Sequence, residues 1–144
     1  YFNQQVLNQM DTVKSMMSNP NNAKLKKPMQ AYYDKLEKVR KELVATKEGQ
    51  SITGEERIRE KLSELYAQVV SYDGRPTDSQ VQRIDGLKYD MQKQKDVADA
   101  IWKNDMPKLN EQLRTERLKV LTILSRADFD GATKGSDEKL YPDK

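Results

Sequence analysis

Residues 29–43, MQAYYDKLEKVRKEL, decide the fold: Met29, Tyr32, Leu36, Val39 and Leu43 recur at steps of 3, 4, 3 and 4. With 3.6 residues per turn, that spacing keeps one apolar stripe on one side of an α-helix, whereas a strand would need strict alternation. The residues between are mostly charged, so the rest of the helix surface is wet. Pro28 suits a first turn, where its missing amide costs nothing, and the stripe predicts a helix from about Pro28 to Lys47.

The flanking sequence has the same period. Phe2, Val6, Met10, Val13 and Met17 mark a first helix ending near Ser18, before the Asn19-Pro20-Asn21-Asn22 break. Ile58, Leu62, Leu65 and Val69 mark a third, and Ile84, Leu87, Met91, Gln94, Ala98 and Ile101 a fourth. Thr53-Gly54-Glu55-Glu56 and Thr77-Asp78-Ser79-Gln80 both read as capping boxes. In each, the Thr53 or Thr77 hydroxyl accepts from the third amide, and Glu56 or Gln80 accepts from the threonine amide. Pro107 should kink or stop the fourth helix near Asn104. A last helix is expected through Leu109, Leu113, Val120 and Leu124, ending by about Ala127. The chain thus reads as all-α, an elongated antiparallel bundle of four to five helices over residues 1–127. A flexible acidic, glycine-containing tail, 128–144, should follow.

Composition narrows the function. The chain has 144 residues, room for one domain, and 26 Lys plus Arg against 23 Asp plus Glu give a net charge of +3. Leu, Ile, Val and Phe make up only about a fifth of it, near the lower edge for folded proteins, and mean hydropathy is -0.97. Near charge balance removes the self-repulsion of a disordered polyelectrolyte, so thin stripes on solvated helices fit better. There is no His and no Cys, which excludes Ser-His-Asp and Cys-His nucleophiles, imidazole or thiolate zinc sites and disulfides. No catalytic residue, cofactor or metal site is therefore expected. Asp128, Asp130, Ser136, Asp137 and Glu138 suggest a calcium loop, but Ala132, Thr133 and Lys139 stand where it needs an oxygen ligand, a glycine and a bidentate Glu. Glu55 with Glu56, and Asp96 with Asp99, suit a helix start and an exposed helix face better than acid–base work. No apolar run is long enough to span a membrane. The start at Tyr1 instead of Met leads us to expect a processed product or a piece of something longer.

Binding is the class that remains. Residues 19–47 hold eight Lys or Arg against three acids, among them Lys35, Lys38 and Arg40. Glu37 with Lys41 and Asp34 with Lys38 would, however, form ordinary i,i+4 pairs, and a pI of 8.9 falls short of a nucleic-acid footprint. Trp102, Tyr66 and Tyr72 could anchor a protein partner at the bundle end. Trp102 has a second reading, the commoner one, as packing of that end.

Leu62-Ser63-Glu64-Leu65-Tyr66, then Gly74-Arg75-Pro76-Thr77-Asp78-Ser79-Gln80, then Trp102 ahead of Asp105-Met106-Pro107-Lys108-Leu109-Asn110 and Leu113, resemble the C-terminal helical region of bacterial exported, sortilin-like propeller proteins with BNR-type repeats. The resemblance covers residues 55–114. It implies a helical hairpin following a propeller, an exported location (periplasmic, outer-membrane-associated or secreted), and a protein partner, the upstream propeller region of the same polypeptide or a larger complex. It carries over no catalytic residue. Its proline element reads as a clasp: Pro107 fixes a turn, Asp105 caps the next helix, and Asn110 bonds backbone across the kink. The expected function is a non-catalytic helical accessory or docking module. A free-standing adaptor or chaperone-like protein and a hydrolase fragment are the competing classes.

Overall fold

The computed structural model describes residues 1–46, 56–71 and 73–131. They form an all-α bundle of α1 (Phe2–Ser18), α2 (Lys26–Leu43), α3 (Ile58–Val70), α4 (Asp78–Asn104) and α5 (Met106–Thr115), with no strand among the described residues. A 3-10 turn, Pro20–Leu25, joins α1 to α2, and residues 126–131 are helical. At the first break, Asn19 Oδ1 accepts from the Asn21 amide at 3.0 Å, and Asn22 Nδ2 donates to the Met16 carbonyl at 2.9 Å. The Met16 carbonyl, at the end of α1, also accepts from the Asn19 amide at 3.2 Å.

All five stripe residues of α2, Met29, Tyr32, Leu36, Val39 and Leu43, are buried. They meet Val6, Met10 and Val13 of α1, Ala98, Ile101 and Trp102 of α4, Leu109 and Leu113 of α5, and Leu121 in one core. Helix α2 nevertheless stops at Leu43, short of the expected Lys47, because Val44 is in extended backbone geometry, φ -141 and ψ 137.

Helix α4 runs from the Thr77 cap to Asn104, as the sequence predicts, and both limbs of the Thr77 capping box form. Gln80 N–H donates to Thr77 Oγ1 at 3.3 Å, and Thr77 N–H donates to Gln80 Oε1 at 2.9 Å. Pro107 falls in the first turn of α5, where it interrupts no bond.

Three further expectations need correction. The first concerns the start of α3, which lies at Ile58 with Arg57 as an N-cap that makes no side-chain cap bond. Glu56 precedes the helix and cannot be its N3 residue, and Thr53 lies outside the described residues. The second concerns Asp105, whose side chain makes no cap bond and instead holds Lys35 Nζ at 2.7 Å. The third concerns the last helix, which ends at Thr115 and does not reach Val120 or Leu124. Arg117, at φ 57, ends it: the Arg117 amide donates to the Arg114 carbonyl and the Leu118 amide to the Leu113 carbonyl. This is a Schellman closure with arginine in the left-handed position usually held by glycine.

Residues 118–125, neither helix nor strand, form a strap over α1 and α5. Ser125 then opens the segment 126–131, its Oγ accepting from the Asp128 amide at 3.1 Å. Phe129 of that segment meets Tyr1 edge-on at 5.3 Å. Residues 128–131 of the expected tail are thus helical, and 132–144 lie outside the described residues.

Candidate functional site

At 1.5 Å per residue, the 27 residues of α4 extend about 40 Å, against about 27 Å for α2, whose 18 residues form the central core stripe. The N-terminal half of α4 therefore overhangs the core and pairs mainly with α3. Only Ile58 links α3 to the main core cluster. Leu65 is 2% exposed between the two helices, while Leu62 on the same stripe is 50% exposed.

The uncovered side of this α3–α4 arm forms a groove of about 540 Å³ lined by Ile58, Leu62, Ile84, Leu87, Lys88 and Met91, with Gln92 at its rim. Ile84, Leu87 and Met91 are half-buried. A shallower depression of about 400 Å³ on another side of α4 includes Tyr89, Val97 and Ala100. Tyr66 and Tyr89, 69% and 72% exposed, and Val81 add apolar surface. Among the described residues Lys88 is the one charged residue in the groove lining, and ion pairs frame the arm: Arg83 reaches Glu64 at 3.4 Å, and Arg57 reaches Glu42 at 3.6 Å. Chemically such a surface can hold an apolar partner.

The sequence-derived site residues do not converge. Trp102 is buried and meets Phe2 edge-on at 6.1 Å, which is the packing of its commoner reading. Tyr66 stands on the arm, and Tyr72 lies outside the described residues. Lys35 is tied to Asp105, Lys38 is exposed and Arg40 half-buried along α2. The pair expected between Asp34 and Lys38 is replaced by a bond from Gln30 Nε2 to Asp34 at 2.7 Å, whereas Glu37 and Lys41 do pair, at 3.4 Å.

Below Lys35 lies a buried polar cluster. Tyr32 donates its hydroxyl to Gln9 Oε1, and Gln9 Nε2 donates to the Thr122 carbonyl at 3.3 Å. Burial, reinforced by the negative charge of Asp105, pushes the Tyr32 phenol well above its ordinary range, so it stays a neutral donor. Gln9 is 1% exposed and was missed from sequence. Its position was the available signal, because it falls three residues after Val6 and four before Val13, on the apolar stripe itself.

Among the described residues no group of acidic side chains could hold a metal ion, and no helix is long and apolar enough to cross a membrane. No family model, curated protein or solved structure matches the chain.

Proposed function

We propose that this chain is a non-catalytic helical docking module whose α3–α4 arm packs against another protein. The occupant we assign is the upstream propeller region that the resemblance implies, within an exported polypeptide. The observation that carries the reading is the groove along Leu62, Ile84, Leu87 and Met91. Apolar surface gathered on one arm and rimmed by charge is the usual form of a protein contact, whereas single scattered apolar side chains need no explanation.

Two measurements test it. Reading the coding sequence upstream of Tyr1 is expected to show propeller repeats in frame, and an initiating Met directly before Tyr1 overturns the assignment. Titrating the separately produced propeller region with this chain by calorimetry is expected to show binding that Leu62→Glu weakens at least tenfold. Binding untouched by that charge moves the contact off the arm.

The adaptor reading draws on a different observation, that the core of α1, α2, α5 and the C-terminal half of α4 is closed within the chain. It requires a protein that folds and binds with no upstream region, and the same coding sequence separates the two.

A further inference from the structure

The strap is held in an unusual way. Leu121 gives both backbone groups to one side chain: its amide donates to Asn110 Oδ1 at 2.7 Å, and its carbonyl accepts from Asn110 Nδ2 at 3.0 Å. On the opposite side, the Thr122 carbonyl accepts from Gln9. The Leu124 carbonyl accepts from Gln5 Nε2 at 3.0 Å and from the Tyr1 hydroxyl at 2.8 Å. One residue bonds towards α5 and the next towards α1, the alternation of extended backbone. Leu121 is the strap's one fully buried side chain; Leu118, Val120 and Leu124 are half-buried, Leu118 against the core, and Ile123 is 39% exposed.

A set of side-chain amides that bonds main chain while one leucine fills a pocket recognises an extended peptide by its backbone and by that leucine, with flanking apolar side chains in support. The cleft is also costly to leave empty. Gln9 and Asn110 are 1% and 8% exposed under the strap, and lifting it would break these bonds and uncover the pocket that Leu121 fills. We infer that the α1–α5 cleft is a binding site for an extended apolar peptide with one deeply buried leucine, filled in cis by residues 118–125 and open to such a peptide from a partner when the strap lifts. The inference is independent of the arm and of what packs there.

The test uses the full chain and a fluorescein-labelled peptide of residues 118–127, LKVLTILSRA. The wild-type chain, with its strap tethered, is expected to bind the peptide weakly. Leu121→Asp puts a charge in the pocket, should lift the strap, and is expected to raise affinity at least tenfold by fluorescence anisotropy. Adding Asn110→Ala to that variant is expected to lower affinity about tenfold again, since two backbone bonds are lost. Leu121→Ala, a milder release of the anchor, should fall between wild type and Leu121→Asp and serves in its place if the charged variant lacks helical circular dichroism. The inference is overturned if neither released variant binds better than wild type. It is equally overturned if binding ignores Asn110→Ala, or if a peptide carrying Asp at the leucine position binds as well.

Discussion

Glu60 sits in the first turn of α3 and connects it to the end of α2. Its carboxylate accepts from the Ala45 amide at 3.1 Å and from Arg59 Nε at 2.8 Å. Burial works against its charge, but the Ala45 and Glu60 amides and the Arg59 guanidinium outweigh it and hold the carboxyl below its ordinary value of 4.5. A carboxyl lowered by folding stabilises the native state above its unfolded pKa and loses that contribution as pH falls through the folded value. Glu60→Gln should therefore melt below wild type at pH 7, with the gap closing as pH drops under about 4.5; thermal melts at stepped pH measure it, and a pH-independent gap would show that the charge contributes nothing. Other residues were legible to different degrees. Asn110 was expected to bond backbone across the Pro107 kink; it bonds backbone, but that of Leu121 in the strap, a partner no local pattern marks. Glu60 itself gave no sign, since its partner Ala45 is distant in sequence.

At the scale of elements, side-chain chemistry placed some starts and stops, though the Thr53–Glu56 signal misplaced the start of α3, and those made by backbone geometry were not readable. The Thr77 box and Pro107 both placed a boundary correctly, one by its hydroxyl and the other by its missing amide. The end of α5 escaped notice because an arginine occupies the left-handed position, and the spacing from Leu113 to Val120 and Leu124 still looks helical. A left-handed L-residue costs roughly 1 to 2 kcal/mol, while glycine is freer in the unfolded chain by about 0.5 to 1 kcal/mol. Arg117→Gly should thus stabilise the protein by about 0.5 to 1 kcal/mol, raising the melting temperature by roughly 2 to 4 °C. A lowered melting temperature would mean that the Arg117 side chain holds something the closure needs.

For the molecule as a whole, periodicity identified the stripes but not what covers them. The α2 stripe is buried end to end, yet the equally regular run of Ile84, Leu87 and Met91 is only half covered, because α4 outruns the helices that form the core. Burial of one side chain is worth about 1.5 to 3 kcal/mol before entropy, so an arm with Leu65 as its one fully buried residue away from the core junction should open well below the cost of global unfolding. Hydrogen exchange should then give α3 and residues 78–92 a smaller opening free energy than α2. Two substitutions separate the parts. Gly86 lies in the arm half of α4 with open space where a Cβ would stand, so Gly86→Ala should raise arm protection by about 1 kcal/mol and leave α2 unchanged. Leu36 is fully buried, so Leu36→Ala should lower protection of α2 by about 2 to 5 kcal/mol while the arm keeps its own opening so long as that remains the cheaper one. If α2 and α3 instead exchange with one common free energy that moves with either substitution, the arm belongs to the core's cooperative unit and its apolar groove is a dent in a single rigid body.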